Sequence, residues 1–290
     1  MKKSRVLSTA ALALAVISGH ASASVFIASH PDDIELLMNK NAASDVSGGY
    51  KTVIVLLTAG DASYGTGLGP NTKGIPYYRA RMNAHEASIQ FWQSYTPGTS
   101  PTAKVVPPIV RSIERLAGQN VEKATLGSVT LYYFNLPDNR LTDLDQYAVA
   151  SLNSVTNTST FSLATLRQAI REIIKITHTG QPTINVNYQD FEGVGDHIDH
   201  SATGRIVYWA LNDSGTPGYT CTYQTLYQGY NTGNYSESFT DYEKKVHSAT
   251  IGALNGALVS NGNPSTWDGF HINFIGKMVT RTVGGGTCNL

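Results

Sequence analysis

The sequence has little cysteine and no surplus of either charge. Among its 290 residues are two cysteines, and 21 basic residues balance 21 acidic ones. A chain with this balance is not expected to bind nucleic acid or an anionic membrane. Beyond the N-terminal region no segment approaches the roughly 20 consecutive apolar residues that a membrane-spanning helix needs. No internal repeat is present either, so the sequence predicts neither a stable membrane anchor nor a repeat architecture.

Motifs of several common enzyme classes are also missing. The chain has no GxSxG turn for a nucleophilic serine and no GxxxxGK[ST] loop for a nucleotide phosphate. His85-Glu86 begins like the HExxH motif of metalloproteases, but Ile89 occupies the position of the second histidine. We therefore expect structural roles for His85, and likewise for His178, His247 and His271.

The N-terminus is typical of a signal peptide. Lys2, Lys3 and Arg5 precede an apolar stretch from Val6 to Ile17, and Ala21-Ser22-Ala23 forms a small-residue cleavage site. Residues 1–23 are thus predicted to be removed and the mature chain to be secreted or periplasmic. The leader holds three of the 21 basic residues and no acidic one, which leaves a net charge of −3. In an exported chain, Cys221 and Cys288 are predicted to form a disulfide.

The remaining residues, 24–290, are predicted to form one α/β domain. β-prone runs alternate with amphipathic helical patterns, which indicates a mostly parallel sheet covered by helices on both faces. The predicted strands are 25–29, 52–58, 129–134 and 184–188. The predicted helices include 77–92, 163–174, 200–211 and 241–258, and the tail 270–279 is predicted to be a further strand. The glycine-rich stretch 60–74 is expected to be a mobile loop.

Acidic and histidine clusters follow the four predicted strands. They are His30-Pro31-Asp32-Asp33, Thr58-Ala59-Gly60-Asp61, Leu136-Pro137-Asp138 and Asp196-His197-Ile198-Asp199-His200. Because ligand sites of parallel sheets lie at the carboxyl ends of the strands, the clusters are expected to meet at one edge.

This set of residue types predicts a catalytic metal site. Zinc in such sites takes three histidine or carboxylate ligands and keeps a fourth position for water. His30 and Asp33 are spaced to share one ion, which leaves Asp32 free to act as a general base. The third ligand is expected from His197 or His200, with the other histidine facing the substrate.

These motifs, in this order over about residues 24–230, resemble the PIG-L/LmbE-like family of zinc-dependent N-deacetylases. The matching segments also include an arginine-containing helix, Tyr78-Arg79-Ala80-Arg81. Leu37-Met38-Asn39 and the Tyr-Gln-Gly-Tyr at 227–230 are similar to exported bacterial members in particular. The resemblance implies a Rossmann-like three-layer fold with the metal site at the C-terminal ends of the strands. It also implies an amidohydrolase that removes acetyl groups from N-acetylated sugars of the N-acetylglucosamine type.

The resemblance further implies a role for each matching residue. His30, Asp33 and His200 would bind Zn²⁺ or another divalent ion, and Asp32 would be the general base. His197 would polarise the amide carbonyl, with Asp199 orienting it. Substrate contacts are expected from Arg79, Asp138 and Asp61, with Arg81 an equal alternative to Arg79. Some members carry a tyrosine at the position of Gly195, and Tyr188 or Tyr64 would have to take its part here.

Two other functions fit the same residues. One is a metal-dependent hydrolase of another bond, such as a phosphoester, for which a two-metal site with more carboxylates is expected. The other is a carbohydrate-binding module on an inactivated deacetylase scaffold. The retained Asp32 disfavours this second alternative, because binding alone does not require a general base.

Overall fold

The computed structural model describes residues 23–98, 102–179, 184–193, 195–212 and 222–283. The predicted leader up to residue 22 and both cysteines of the predicted disulfide, Cys221 and Cys288, lie outside these residues. The strands are β1 (Ala23–Ala28), β2 (Thr52–Thr58), β3 (Tyr95–Thr96), β4 (Thr102–Ala103), β5 (Val110–Leu116), β6 (Gln119–Leu126), β7 (Val129–Leu136), β8 (Leu152–Asn153), β9 (Thr160–Phe161), β10 (Ile184–Gln189), β11 (Thr222–Tyr227) and β12 (Thr280–Val283). The α-helices are α1 (Asp33–Leu37), α2 (Asn39–Gly48), α3 (Tyr77–Gln93), α4 (Leu141–Asp145), α5 (Leu163–His178), α6 (Ile198–Asn212) and α7 (Asp241–Ser260).

The main sheet has eight strands in the order β12-β11-β10-β1-β2-β7-β6-β5. The five central strands, β11, β10, β1, β2 and β7, run parallel. The outer strands β12, β6 and β5 are antiparallel to their neighbours. This mostly parallel α/β sheet confirms the predicted fold class.

Helices cover both faces of the sheet, and the strand sequences show why. Along β1 and β2, Val25, Ile27 and Val53 belong to one apolar cluster, whereas Phe26 and Ile54 belong to the other. Successive side chains of a strand point to opposite faces, so a strand covered on both sides is apolar at every position. One cluster packs against α5 and α6, and the other packs against α1, α2 and α3.

The predicted C-terminal strand at 270–279 is wrong. This segment contains a 3₁₀ turn, His271–Phe274, and the strand β12 begins only at Thr280. Phe270 and Phe274 pack their rings on Tyr230, at centroid distances of 5.0 and 5.8 Å. Gly276 has a φ of +81°, which an extended strand does not accommodate. The apolar residues of this segment thus pack their rings on Tyr230 from a turn, and they do not form the strand that the apolar pattern favoured.

Within the described residues, no helix is both long enough and apolar enough to cross a membrane.

Candidate active site

The predicted clusters meet at one edge of the sheet. His30-Pro31-Asp32 follows β1, and Asp61 and Asp138 follow the parallel neighbours β2 and β7. His197 and His200 stand at the start of α6, which follows β10. Because β2, β1 and β10 are adjacent and parallel, their carboxyl ends bring these loops together. This is the edge that the sequence predicts for the site.

His30, Asp33 and His200 form the centre of the cluster. Asp33 Oδ2 lies 3.1 Å from His30 Nδ1, and Asp33 Oδ1 lies 3.0 Å from His200 Nε2. All three side chains are buried. Ligand atoms that share one tetrahedral zinc at bond lengths of about 2.0–2.2 Å lie roughly 3.3 Å apart, so the observed spacings suit such an ion.

Two atoms of this cluster point to a cation between them. Asp33 Oδ1 and His200 Nε2 are buried and lie 3.0 Å apart, and apart from this contact neither has a hydrogen-bond partner among the described residues. Such a buried pair needs a shared proton or a shared cation, because two bare acceptors would repel each other. A metal ion bound to both would satisfy them, and a carboxylate with two histidines is a donor set that zinc accepts. The residues therefore fit the metal that the sequence predicts.

The cluster offers other donor groupings that share His30. Ligand atoms of His30, His197 and His200 lie within 4.8 Å of one another, as do those of His30, Asp138 and Asp199. His30 Nε2 is 3.0 Å from Asp138 Oδ1 and 3.6 Å from Asp199 Oδ2. His30 belongs to both groupings, so its ring could contribute a metal ligand to either one.

The charges of this buried cluster depend on each other. Burial alone would raise the pKa of Asp33, but the neighbouring His200 and His30 hold it well below the usual value. Burial would lower the pKa of His30, and the carboxylates of Asp33, Asp138 and Asp199 raise it well above the usual value. Gln189 Nε2 also donates to Asp33 Oδ2 over 2.9 Å and fixes its orientation. Without a metal, the cluster therefore favours protonated histidines beside an ionised aspartate.

A second carboxylate, that of Asp196, contacts the ring nitrogen of His200 that lies away from Asp33. Asp196 Oδ1 lies 2.8 Å from His200 Nδ1 and also accepts from the backbone N–H of His197 and Tyr230. Burial lowers the pKa of His200, but Asp33 and Asp196 raise it to about 9. A carboxylate bonded to the outer nitrogen of a histidine is a common support for a metal ligand. The backbone approaches closely here, because a Cβ at Gly229 would lie 2.0 Å from Asp196 Oδ2.

Asp32, the predicted general base, forms an ion pair with Arg81. Arg81 Nη2 lies 2.5 Å from Asp32 Oδ1, and Arg81 Nη1 donates to the carbonyl of Gly60 over 2.9 Å. Gly60 has a φ of +55°, and a Cβ there would meet the Arg81 guanidinium at 2.8 Å. Among the described residues Asp32 Oδ2 has no hydrogen-bond partner, so this oxygen is available for chemistry.

His197 faces the same cluster. Its ring centroid lies 4.7 Å from that of His30, at an angle of 87°, and 5.2 Å from that of His200. Burial, together with the neighbouring His30 and His200, lowers the pKa of His197. The backbone N–H of Asp199 donates to His197 Nδ1 over 3.2 Å. In the neutral ring the proton therefore lies on Nε2.

The predicted role of Asp199 takes a different form. Its carboxylate accepts from the backbone N–H of Asn139 and Leu141, at 2.7 and 3.1 Å, and joins the loop after β7 to α6. Among the described residues no hydrogen bond joins this carboxylate to the His197 ring. The support for His197 comes from the Asp199 backbone N–H instead.

Asp61 and Asp138 lie together beside His30. Asp61 Oδ1 accepts from the backbone N–H of Asp138 over 2.8 Å, and Asp138 Oδ2 accepts from Ala62 N over 3.2 Å. Burial would raise the pKa of Asp138, but the bond to His30 and the charges of His30 and Arg81 lower it to about 2. Both carboxylates are thus tied to the loops after β2 and β7.

Arg79 is not brought to the cluster. Its guanidinium forms two bonds with Glu122 on β6, at 2.6 and 3.0 Å. The two arginines are two positions apart on α3 and so point in different directions. Arg81, the alternative from the same motif, is the one that contacts Asp32.

Tyr230 is a site residue that sequence reasoning missed. Its ring lies 4.8 Å from the His200 ring and 6.2 Å from the His197 ring. Burial, together with Asp33 and Asp32, raises its pKa. The two tyrosines proposed from the sequence lie elsewhere, since Tyr188 donates to Gln224 and Tyr64 is half exposed against Tyr77. The tyrosine-rich run at 227–230 is the only signal that marked Tyr230 in the sequence.

The other histidines lie apart from this cluster. His85 is buried behind α1, 2.7 Å from Glu35, and His247 is buried in α7. His271 pairs with Asp268 at the surface, and His178 ends α5. These placements are those of structural residues.

The PIG-L family model, described as GlcNAc-PI de-N-acetylase, matches residues 25–211. The chain belongs to this family, as its motifs predict. Membership defines the class of protein, a hydrolase of the deacetylase type. No curated protein sequence matches the chain significantly.

Two solved structures share the fold. An N,N′-diacetylchitobiose deacetylase from Pyrococcus horikoshii, in complex with an inhibitor, is 15% identical and has a TM-score of 0.52; the match covers 91% of this chain and 85% of that one. A triple mutant of a deacetylase of the teicoplanin biosynthetic pathway is 11% identical with a TM-score of 0.51, over 90% of this chain and 98% of the other. At such identities the likeness is one of fold.

Proposed function

We propose that the chain is an exported, zinc-dependent hydrolase that removes acetyl groups from N-acetylated sugars of the N-acetylglucosamine type. The observation that carries this proposal is the buried cluster of His30, Asp33 and His200, in which Asp33 Oδ1 and His200 Nε2 lie 3.0 Å apart and have no other hydrogen-bond partner among the described residues. These three residues would hold the ion. A bound zinc ion would supply an activated water and would polarise the amide carbonyl.

Asp32 is the general base in this proposal. Arg81 bonds to Asp32 Oδ1 and leaves Oδ2 to take up a proton from the attacking water. The ion pair with the guanidinium fixes the orientation of the carboxylate, which prepares it for proton transfer. Asp32 is next in sequence to the ligand Asp33 without sharing its contacts, so the two carboxylates can have separate tasks.

His197 stabilises the developing oxyanion. Its Nδ1 accepts from a backbone N–H, so Nε2 carries the proton of the neutral ring. An N–H donor held ready for the negative charge of a tetrahedral intermediate lowers the barrier to amide hydrolysis. The proton that Asp32 takes from the water is the one available to the leaving amine as the C–N bond breaks, because the neutral His197 ring has no proton beyond the one that bonds the oxyanion.

Three observations support an N-acetylated sugar as the substrate. The family is described by the de-N-acetylation of an N-acetylglucosamine conjugate. One structure of the same fold is a deacetylase of N,N′-diacetylchitobiose. Asp138, which contacts His30, and its neighbour Asp61 line a polar cleft that suits a hydroxyl-rich ligand.

The export proposal depends on the leader sequence alone. Lys2, Lys3, Arg5 and the following apolar stretch are typical of a cleaved signal. Expression in a bacterium with an intact export system, followed by N-terminal sequencing of the extracytoplasmic protein, tests it. A mature N-terminus at Ser24 is expected, and retention of the intact chain in the cytoplasm would contradict export.

Acetate release tests the proposed activity. The purified mature protein is incubated with N-acetylglucosamine and with N,N′-diacetylchitobiose, before and after treatment with a chelator. We expect acetate from the untreated enzyme, loss of activity after chelation and recovery on addition of Zn²⁺. The same samples are assayed with a phosphoester substrate. Phosphate release without acetate would favour the hydrolase of another bond, and sugar binding without any turnover would favour a binding module.

A further inference from the structure

A buried carboxylate that the proposed reaction does not use lies on α1, two residues after Asp33. Glu35 is 0% exposed, and its Oε1 lies 2.7 Å from Nδ1 of the equally buried His85 on α3. The same oxygen accepts a hydrogen bond from Ser88 Oγ. Burial of a carboxylate is costly even with such partners. This cost distinguishes Glu35 and His85 from residues that only fill space between the two helices.

A second polar contact joins the same two segments. Arg81 forms the ion pair with Asp32, the residue that precedes α1. Arg81 and His85 are four positions apart on α3, and Asp32 and Glu35 are three positions apart, so each pair is separated by about one helical turn. The helix α3 thus contacts residues 32–35 at two successive levels, first through Arg81 and then through His85.

Different parts of the molecule hold the two aspartates of the motif. Asp33 Oδ2 accepts from the backbone N–H of His30 over 2.7 Å and from Gln189 on β10 over 2.9 Å. The Asp32 side chain makes no cap bond to α1, and Arg81 is its ion-pair partner. The orientation of the Asp32 carboxylate therefore depends on how α3 lies against α1, whereas that of Asp33 depends on the sheet.

The position of α1 depends on its tertiary contacts. The helix has only five residues, too few to be stable by its own hydrogen bonds. Ile34, Leu36 and Leu37 pack in the apolar cluster, but such contacts have no preferred direction. The hydrogen bond between Glu35 and His85 is directional, and it fixes the rotation of α1 relative to α3.

We propose that Glu35 and His85 are positioning residues for the general base. Their contact fixes α1 against α3, so that Arg81 holds Asp32 by Oδ1 and leaves Oδ2 for the attacking water. The inference rests on the proposed function and deepens it, because it assigns a role in the reaction to residues outside the metal cluster. Loss of the contact should slow turnover without release of the metal ion.

The test moves the polar group that faces Glu35. His85→Asn places an amide where Nδ1 lies, and His85→Gln places one where Nε2 lies, so only the first variant retains the contact. We expect His85→Gln to lower kcat for acetate release about tenfold, with KM and zinc content within about twofold, because a small misplacement of a reacting group costs rate. His85→Asn should restore kcat to within about threefold of the unsubstituted enzyme.

A double-mutant cycle determines whether the effect acts through Asp32. The Asp32→Asn background lacks the base, so His85→Gln is expected to change its kcat by less than about twofold. Equal losses of kcat in the two backgrounds would overturn the positioning role, as would loss of zinc from His85→Gln. Either result would leave the deacetylase proposal intact.

Two further variants complete the experiment. Glu86→Gln is the matched control, because Glu86 is a buried carboxylate on the same helix that bonds Arg111 and Tyr133 instead of α1. It is expected to keep kcat within about twofold. Ser88→Ala removes the other donor to Glu35 with little change in volume, and it is used if His85→Gln does not fold. It should lower kcat about threefold in the same cycle, and an unchanged kcat there would overturn the inference.

The failures of the two proposals are distinguishable. If Asp32→Asn is impaired and His85→Gln is fully active, only the positioning role is overturned. Full activity of Asp32→Asn would overturn the general base and the positioning role together. Absence of acetate from the unsubstituted enzyme would overturn the deacetylase proposal and the inference with it.

Discussion

Asp33 connects the charged residues of the site. One of its carboxylate oxygens lies 3.1 Å from His30 and the other 3.0 Å from His200. It is fully buried, where an unpaired carboxylate would be strongly disfavoured. His30 and His200 thus keep Asp33 ionised by lowering its pKa. Because both histidines share this carboxylate, a substitution of one is expected to alter the pKa of the other.

The division between metal ligands and general base is tested by two substitutions. Asp32→Asn retains the ligand set and is expected to keep the metal while lowering kcat by about 10²–10⁴-fold. His30→Ala removes a ligand and is expected to lose both metal and activity. Metal content by elemental analysis and acetate release are measured on the same samples. Equal loss of metal in both variants would contradict the division of roles.

Asp196 is expected to set the metal affinity through His200. Asp196→Asn removes the carboxylate that lies 2.8 Å from His200 Nδ1, and a loss of about 10–100-fold in zinc affinity is expected. Competition with a chromophoric chelator measures this. Asp268→Asn, which changes a comparable pair with His271 at the surface, is the control. Unchanged affinity in Asp196→Asn would show that His200 needs no such support.

Metal affinity is also expected to rise with pH. Neighbouring carboxylates raise the pKa of His200 to about 9 in the metal-free protein, although burial lowers it. Binding through Nε2 must displace a proton from the ring at neutral pH. The apparent zinc affinity should therefore increase between about pH 6 and pH 9, with proton release detectable by calorimetry in buffers of different ionisation enthalpy. Affinity that is constant over this range would contradict the account.

At the scale of elements, continuous apolar runs predicted four of the five central strands, and β11, which is rich in polar residues, was not predicted. The predicted bounds of 52–58 are those observed for β2, and β7 and β10 extend only two and one residues further than predicted. A strand that is covered on both faces is apolar at almost every position, and such a run is easily recognised in the sequence. The hairpin of β5 and β6 was not predicted, because β5 is largely exposed and polar or charged residues interrupt the apolar pattern of both strands.

The sequence predicted the site residues that directly follow a strand. It did not predict the residues whose position depends on packing between segments that are distant in sequence. The loops that carry His30, Asp61, Asp138 and His200 follow from the parallel order of the strands. The choice of Arg81 over Arg79 beside Asp32 depends on the rotation of α3, which the motif does not define. Tyr230 reaches His200 from a 3₁₀ turn after β11, so its role depends on tertiary packing that no local pattern encodes.

The edge strand β12 depends on a charged pair. Arg281 Nε and Nη2 each lie 2.7 Å from an oxygen of Asp190, at the end of β10. Arg281→Met leaves this buried carboxylate without its cation and is expected to cost roughly 2 kcal/mol of the free energy of unfolding. Faster hydrogen exchange in β12 is expected alongside. Lys244→Met, which removes an exposed pair with Glu237, is the control, and an equal loss there would contradict the assignment.

For the whole molecule, buried His247 is expected to make stability depend on pH. Burial lowers its pKa to about 4, whereas the unfolded value is about 6.5. The unfolded chain therefore gains a proton first as the pH falls, and stability is lost between pH 6.5 and 4. In His247→Asn, whose amide can accept from Gly276 N–H as Nδ1 does, the slope in this window should be shallower by up to about 1.4 kcal/mol per pH unit. Urea unfolding across the window measures it, and identical slopes in the two proteins would refute this role.

The central claim is that one cation is held by His30, Asp33 and His200 while Asp32 stays unligated. Anomalous X-ray diffraction at the zinc edge, on crystals of the zinc-loaded protein, tests it most directly. The account predicts one peak at about 2.0–2.2 Å from a donor atom of each of these three residues, with Asp32 outside bonding distance. A peak held instead by His30, Asp138 and Asp199, or no peak in a folded protein, would contradict it.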